Sequence, residues 1–455
     1  MSATNSDTYA LIKTLSELPG PVGFETIVQD HIAGHWGGFA QEVRRTRVDN
    51  VLAKVGGSGE RLMIVAHADE ICWIVRSISD EGFLYIGPYY RDMTGRPTKN
   101  VIPLNQPAIV VTSNGLVPGV FATASGHVVS QTQRASPTWE WTDWFIDIGM
   151  TSKADVEALG IHPGSKVIWN PETRRLGEHL VTGKAMDDRV ALTIATLAGE
   201  RLAGRDDLLL EVWLASTIQE EVGIIGANSL VDELEIDRSI SLDVGLTGDV
   251  PGVDPRMFPG KIGGGPIVVY NDFSVHYDWA FTEELAALAR SSSIPVQESS
   301  FANYGSDGSQ MIRRGVKSAL VTYPTRYTHF IETVDIRDVE WRRPPRQIRN
   351  HRLSRPHTFT SPGNCPGDVR PPNARILNET KDGSAIESRN TNCPNVIVSN
   401  DRLHYRCRQR ASCLESAIMR PLDMMMQSLY RVIVFRNRYH NSGAFGDVIR
   451  CQMET

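Results

Sequence analysis

Six side chains in this sequence have the chemistry needed for metal-assisted hydrolysis. They are two histidines and four carboxylates: His67, Asp187, Glu220, Glu221, Asp243 and His329. Imidazole and carboxylate ligands without thiolates are typical of zinc, cobalt or manganese ions rather than of a structural zinc site. Two imidazoles and three carboxylates suit two divalent ions that share one bridging carboxylate. We interpret these residues as candidates for a two-metal hydrolytic site.

Each residue also has a structural interpretation when it is taken alone. A polar cluster after a strand accounts for His67, a helix cap accounts for Asp187 and a solvated acidic turn accounts for Glu221. The metal interpretation rests on their combination at one edge of one predicted sheet. Ligands of open α/β sheets bind beyond the carboxyl ends of the strands.

Two carboxylates have a predicted role beside the ligands. Asp69 follows His67 by two residues and can orient the imidazole ring. Glu220 precedes Glu221, and adjacent carboxylates point in different directions. Glu221 can therefore bind an ion while Glu220 takes a proton from the attacking water.

The elements that must position these residues alternate between strands and helices. The apolar run Arg61–Ala66 predicts a buried strand that ends at His67, and a helix is predicted over Asp187–Leu202. Further strands are predicted at Leu208–Ala215, Ile240–Leu242 and Ser318–Thr322, with a helix beginning near Gly223. The alternation predicts an α/β fold with a mostly parallel sheet flanked by helices.

The segment 73–175 differs from its surroundings, because short β-rich runs alternate there with Gly and Pro turns. Examples are Ala108–Val111 and Val117–Phe121. We interpret this segment as a small β-barrel or sandwich inserted into an α/β domain formed by residues 1–72 and 176–340. A length of 455 residues is compatible with two such domains.

Nine short motifs occur in order between about residues 8 and 340. They are PGPVGFE (19–25), AHADEI (66–71), DIGMTSKADVEALGIHPG (147–164), GKAMDDRV (183–190), QEEVG (219–223), LDVG (242–245), GGGP (263–266), GSDG (305–308) and PTRYTH (324–329). This series resembles the family of glutamyl aminopeptidases and tetrahedral (TET) aminopeptidases. This chain departs from the family pattern at Ile224-Ile225, where members of the family commonly have an apolar residue followed by a basic one.

The resemblance implies a zinc-exopeptidase-like fold and a function in removing N-terminal residues from short peptides. In the implied mechanism a bridging hydroxide held by two ions per subunit, zinc or else cobalt or manganese, attacks the scissile carbonyl. Asp187 would bridge the ions, His67 and Asp243 would complete one site, and Glu221 and His329 would complete the other. Glu220 would act as the base, and Asp69 would orient His67. Asp307 and Arg326 would bind substrate. Segment 73–175 would be a dimerisation domain in a homo-oligomer ranging from a dimer to a dodecamer.

Two alternative functions stay open. A metal-dependent N-acyl amino acid deacylase would use the same ligands, but its substrates lack the free α-amino group that an aminopeptidase requires. A non-catalytic or defective protein is the other alternative, because the family pattern stops after residue 340.

Residues 341–455 form an atypical basic segment that contains 19 Lys and Arg against 9 Asp and Glu, whereas residues 1–340 contain 28 against 44. Five of the six cysteines lie there, and Cys72 is the other. Three interpretations compete: an appended basic module, a disordered tail, and translation of a shifted reading frame near codon 341. Sequencing the gene at that codon would separate the third from the others.

Composition and patterning exclude several classes of partner and location. No apolar stretch approaches the roughly 18 residues that span a bilayer, so a membrane is not an expected partner. The first residues lack a basic start followed by an apolar segment, which predicts a cytoplasmic protein. Nucleic acid is not expected either, because the cysteines lack the spacing of a zinc knuckle.

Overall fold

The structure, a computed structural model, describes residues 7–88, 105–135 and 140–340. Its helices are α1 (Thr8–Glu17), α2 (Thr26–Gly37), α3 (Gln131–Ala135), α4 (Lys153–Ala158), α5 (Met186–Leu202), α6 (Ile225–Glu233), α7 (Trp279–Ser291), α8 (Asp307–Arg313) and α9 (Ile336–Glu340). The basic segment 341–455 and its three interpretations lie outside the described residues. Within the described ranges, no helix has the length and apolar character that crossing a bilayer requires.

The strands of the described residues form a large sheet and a closed barrel. The large sheet contains β1 (Glu42–Arg45), β2 (Val51–Gly56), β3 (Arg61–His67), β10 (Arg174–Leu176), β11 (Leu180–Gly183), β12 (Glu211–Thr217), β13 (Arg238–Leu246), β14 (Ile267–Val269), β15 (Gln297–Ser299), β16 (Lys317–Arg326) and β17 (Glu332–Asp335). The barrel contains β4 (Trp73–Ile78), β5 (Leu84–Pro88), β6 (Pro107–Thr112), β7 (Gly115–Thr123), β8 (Trp144–Asp147) and β9 (Lys166–Trp169).

The main path of the large sheet runs β1-β2-β12-β3-β13-β16-β17-β11-β10. Strands β12, β3, β13 and β16 are parallel to their neighbours in this central group, so their carboxyl ends meet at one edge. The outer strands pair antiparallel. The predicted α/β fold is confirmed. Parallel pairs occur among the central strands and between the short strands β14 and β15, which lie off the main path.

Helices cover both faces of the central strands, which explains why β3 is apolar without alternation. Leu62 and Ile64 pack into the core formed with α1, α2, α5 and α7. Met63 and Val65 pack on the opposite face with residues of α6 and α8. Alternate side chains of a strand point to opposite faces, so a strand buried on both sides is apolar at every position.

The predicted boundary of β12 differs from the observed one. The apolar run begins at Leu208, but the strand begins at Glu211, which pairs with Arg61 of β3. Leu208 and Leu210 are buried in the large core before the strand starts. The apolar run therefore indicates which residues are buried, whereas the pairing with β3 determines where the strand begins.

The barrel follows β3 directly and has its own core, in which Trp73 packs against Phe121 and Trp169 with ring centroids 4.8 and 4.9 Å apart. Its strands lie between Trp73 and Trp169, and the next strand, Arg174–Leu176, pairs in the large sheet. The expected β-rich insertion is thus a six-stranded barrel. Its assignment as a dimerisation domain stays a prediction.

Candidate active site

The predicted metal ligands meet at the carboxyl edge of the central strands. His67 is the last residue of β3, and Asp243 lies in β13 opposite Thr322 of β16. Glu221 follows β12, and His329 follows β16. The parallel pairing brings together His67 and His329, which are 262 positions apart in the sequence.

Asp187 lies in the first turn of α5, where its backbone is not helical (φ −74°, ψ 97°). A helix cap was the structural alternative for this residue. Its carboxylate instead lies between two histidines: Oδ1 is 3.1 Å from His67 Nε2, and Oδ2 is 3.5 Å from His329 Nε2. Each carboxylate oxygen of Asp187 therefore faces a different ligand group.

Two groups of potential ligands occur among the described residues, and within each the donor atoms lie within 4.8 Å of one another. The first group contains His67, Asp187, Asp188 and Asp243, and the second contains Asp187, Glu221 and His329. In the second group His329 Nε2 lies 3.4 Å from Glu221 Oε2. Asp187 belongs to both groups, as expected of a bridging ligand.

Burial and repulsion raise the pKa of one carboxyl, whereas hydrogen bonds with histidines lower that of another. Burial raises the pKa of Asp243 well above its usual range, and the charge of Asp187 raises it further. Burial would also raise the pKa of Asp187, but hydrogen bonds with His329 and His67 hold it well below the usual range. Several buried anions with few nearby cations form a site that a divalent cation would stabilise.

Asp69 connects the first ligand group to the loop that carries Glu220 and Glu221. Its Oδ1 lies 3.4 Å from His67 Nδ1. Its two oxygens accept hydrogen bonds from the backbone N–H groups of Glu220 (2.9 Å) and Glu221 (3.1 Å). Asp69 is therefore placed to orient His67 and to fix the position of the two glutamates, and its role stays a prediction.

Glu220 lines the same cavity as Glu221 and is half-buried. Burial raises the pKa of its carboxyl well above the usual range, and the charges of Asp243 and Glu221 contribute to the same direction. A cation in either ligand group would oppose this shift.

The sequence drew attention to the pair Asp187-Asp188 but predicted no separate role for Asp188. Its Oδ2 accepts the backbone N–H of His67 at 3.1 Å, and the hydroxyl of Tyr323 lies 2.8 Å from its Oδ1. Both oxygens are thus engaged in holding β3 and β16 to the start of α5. Its place next to Asp187 in the sequence was the available signal.

Two further buried carboxylates were missed. Glu332 accepts the backbone N–H groups of Asp187 and His329. Glu25 accepts the N–H groups of Gly23 and Gln219 at 2.7 and 3.2 Å. Glu25 lies in PGPVGFE, a motif noted only for its resemblance, whereas no sequence pattern distinguished Glu332.

A cavity of about 810 Å³ opens over the ligands. Its lining includes Asp187, Glu220, Glu221, Asp243, His329, Ile224, Phe273, Tyr304 and Arg313. Arg326, a predicted substrate-binding residue, does not line it, because its guanidinium pairs with Asp249 at 2.6 Å. Asp307 is buried and accepts the Thr217 hydroxyl at 2.5 Å. The structure therefore does not bring either predicted substrate-binding residue into this cavity.

The donor set fits divalent ions and does not include Cys72. Burial raises the pKa of the Cys72 thiol to about 12, which disfavours the thiolate that binds metals. Nitrogen and oxygen atoms from histidine and carboxylates remain as ligands, which is the set suited to zinc, cobalt or manganese.

Comparison with known proteins agrees with this geometry. The family model for M42 glutamyl aminopeptidases matches residues 49–342. A lysyl aminopeptidase from Pyrococcus furiosus is 26% identical over 340 residues, covering 73% of this chain and 93% of that protein.

Two solved structures share the fold. The TET aminopeptidase of the marine sediment archaeon Thaumarchaeota archaeon SCGC AB-539-E09 is 30% identical, with a TM-score of 0.67 over 73% of this chain and 92% of that one. The TET1 peptidase of Pyrococcus horikoshii, described as assembling into a tetrahedron or a large octahedral shell, is 25% identical, with a TM-score of 0.64 over 73% of this chain and 96% of that one. The chain belongs to the M42 glutamyl aminopeptidase family and is a metal-dependent aminopeptidase.

Proposed function

We propose that this aminopeptidase uses two divalent ions, zinc or else cobalt or manganese, to remove single N-terminal residues from short peptides. The observation that carries the proposal is the position of Asp187, which belongs to two ligand groups at one end of a cavity. In this proposal His67, Asp187 and Asp243 hold one ion, and Asp187, Glu221 and His329 hold the other.

When bound, such ions supply Lewis-acid polarisation of the scissile carbonyl and lower the pKa of water. Glu220 accepts the proton of the attacking water and delivers it to the leaving amine. Its position supports this role, because its backbone is fixed by Asp69 and its side chain lines the cavity beside Glu221. Asp69 keeps the His67 ring in place.

The acidic lining favours a substrate with a free α-amino group. Four carboxylates line the cavity, from Asp187, Glu220, Glu221 and Asp243. With the ions bound, three of these carboxylates are engaged as ligands, and a free α-amino group can bind an ion or donate to Glu220, whereas an acylated nitrogen has neither a free lone pair nor a charge. This argument favours an aminopeptidase over a deacylase. The cavity volume lies in the range of sites that enclose whole small ligands, which supports short peptides as substrates.

The proposal includes a homo-oligomer in which the barrel contributes contacts between subunits. Along β7, Leu116, Pro118 and Val120 share one face of the strand, and all three are exposed. An apolar strip of this kind on a barrel surface is typical of a surface that binds another protein. The cytoplasmic location stays a prediction that cell fractionation tests.

The test is hydrolysis of chromogenic aminoacyl substrates by the full chain after chelation and after zinc, cobalt or manganese is added back. We expect chelation to abolish turnover and at least one of the metals to restore it. The same substrates with an acetylated α-amino group are the matched control and should not be cleaved. Turnover that survives chelation, or equal cleavage of the acetylated substrates, would contradict the proposal.

A further inference from the structure

We propose that Glu332 is a positioning residue that builds the second metal site by holding the backbones of Asp187 and His329 at a fixed separation. The inference rests on the proposed two-metal function and extends it to a residue that contacts neither ion in that proposal. Glu332 begins β17, pairs with Gly183 of β11, and is only 1% exposed.

The Glu332 carboxylate uses one oxygen for each of the two ligands. Oε2 accepts the N–H of Asp187 at 2.9 Å, and Oε1 accepts the N–H of His329 at 3.1 Å. Neither N–H shares its acceptor oxygen with the other. The carboxylate therefore links the start of α5 to the loop after β16, which carry two of the three ligands of the second group.

Both linked segments have backbone conformations that need support. His329 has φ +66°, and Ala185, two residues before Asp187, has φ +50°. Side-chain-bearing residues disfavour this left-handed region, and such conformations persist where surrounding contacts over-determine them. Glu332 supplies such a contact to His329 itself and to Asp187, two residues after Ala185, so its loss would free His329 Nε2 from its position 3.5 Å from Asp187 Oδ2.

The separation of the two N–H groups accounts for a carboxylate rather than an amide here. Glu332 and Asp187 are both buried acids, and placing two of them side by side is unfavourable. A neutral amide would avoid the repulsion, but it offers one acceptor oxygen and one donor. The N–H groups of Asp187 and His329 approach different oxygens, and a carboxylate presents an acceptor at both positions.

The test is calorimetric titration of metal-depleted full-length protein with Zn²⁺. In Glu332→Gln the new amide nitrogen faces one of the two N–H groups. We expect affinity for one of the two ions to fall by about 10–100-fold, the range found when groups that orient metal ligands are changed. Affinity for the other ion should change less, because Glu332 holds only the shared Asp187 among its proposed ligands but both Asp187 and His329 of the second group, among the described residues.

Glu332→Asp separates position from charge. This variant keeps the negative charge and both oxygens but withdraws them by one methylene. We expect the same selective loss of one ion. If Glu332 acted only by its charge, Glu332→Asp would bind both ions as the wild type does, and the inference would be overturned.

Asp338→Asn is the matched control for the loss of a buried brace. Asp338 is 2% exposed and accepts the N–H groups of Gly263 and Gly265 at 2.6 and 3.1 Å, away from the ligands. The Asp338→Asn substitution should lower thermal stability without changing the affinity for either metal ion. In His329→Ala, which removes the ligand itself, adding Glu332→Gln should cause less further loss for the second ion than it causes in the wild type.

The outcomes separate this inference from the proposed function. Wild-type protein that binds fewer than two ions would contradict the two-metal proposal whatever the variants do. If the wild type binds two ions, two results for Glu332→Gln would overturn only the role of Glu332. In one, the variant binds both ions with wild-type affinity; in the other, its affinity falls by the same factor for both ions.

Discussion

At the scale of single residues, the site separates the charge states of neighbouring carboxylates. Two histidines hold the pKa of Asp187 low, whereas burial and the charge of Asp187 raise that of Asp243. Environments that drive such pKa values apart are a recurrent feature of sites with acid–base chemistry. Asp187 is therefore the carboxylate best suited to remain ionised and to be shared by two ions.

The adjacent glutamates should respond differently to the same substitution. Glu220→Gln removes the proposed base and leaves every ligand in place, so we expect both metal ions to remain bound and kcat to fall by about 100-fold or more. Glu221→Gln removes a proposed ligand and should lower the bound metal below the wild-type stoichiometry. Metal content and kcat are measured on the same preparations. Full activity of Glu220→Gln would exclude Glu220 as the base.

At the scale of elements, the loop after β12 is held by close backbone packing as well as by carboxylates. A Cβ atom on Gly226, in the first turn of α6, would lie 2.5 Å from both Asn50 Oδ1 and Ile218 N. The space between this helix and the preceding strand therefore excludes any side chain. The close approach fixes where α6 begins and, through it, the path of the segment that carries Glu220 and Glu221.

Gly226→Ala should therefore destabilise the protein by about 1–3 kcal/mol, the usual cost of overpacking. Gly34→Ala is the matched control, because nothing lies within 4 Å of a Cβ at that position in α2. That change should stabilise the protein by about 0.5–1 kcal/mol, since alanine is the better helix former. Urea unfolding measures both. Equal effects of the two substitutions would contradict the packing argument.

Glu25 gives the same loop a pH-dependent contribution to stability. Burial and the charge of Asp69 raise the pKa of Glu25 to about 7 in the folded state. The unfolded value is about 4.3. Between these two values the folded chain keeps a proton that the unfolded chain releases, so the free energy of unfolding falls as pH rises.

Glu25→Gln should remove that dependence. The stability of the variant relative to the wild type should increase from pH 5 to pH 8 by at most about 3 kcal/mol. Urea unfolding of both metal-depleted proteins at the two pH values gives this difference. Glu172→Gln, at a side chain that is 78% exposed and pairs with Lys13, is the control and should show no such trend. A difference for Glu25→Gln that stays constant with pH would exclude the raised pKa.

At the scale of the whole molecule, the barrel presents apolar surface that its own core does not use. Leu116 and Val120 on β7 are 45% and 38% exposed. Between them on the strand, Val117 packs against the barrel core, as Phe121 does on the far side of Val120. The outward strip is therefore available for another subunit.

Introducing Asp at both Leu116 and Val120 should weaken self-association at least 10-fold, because full burial of each apolar side chain contributes roughly 1.5–3 kcal/mol. Light scattering after gel filtration measures the mass of the assembly over a dilution series. Met257→Asp changes another exposed apolar residue, 64% exposed and outside the barrel, and should leave the mass unchanged. An unchanged mass for the double variant would exclude the β7 strip as a subunit contact.

The sequence by itself determined the family, the α/β class and the β-rich insertion. Strands buried on both faces are continuously apolar, so Arg61–Ala66 was visible without knowing its neighbours. Polar residues placed after such strands identified His67, Glu221 and Asp243, because strand direction fixes the edge at which they lie. Motifs in a fixed order made the family recognisable before any contact was known.

Only the tertiary structure decided which carboxylates act together. Glu332 and Asp188 join the site through hydrogen bonds to backbone N–H groups, and such bonds leave no periodic pattern in the sequence. Arg326 carries the right charge for a substrate contact, but its pairing with Asp249 places it elsewhere. A hydrogen bond or an ion pair forms only when the two atoms lie within a few tenths of an ångström of the favourable separation. Residues far apart in the chain reach that separation only when the strands assemble.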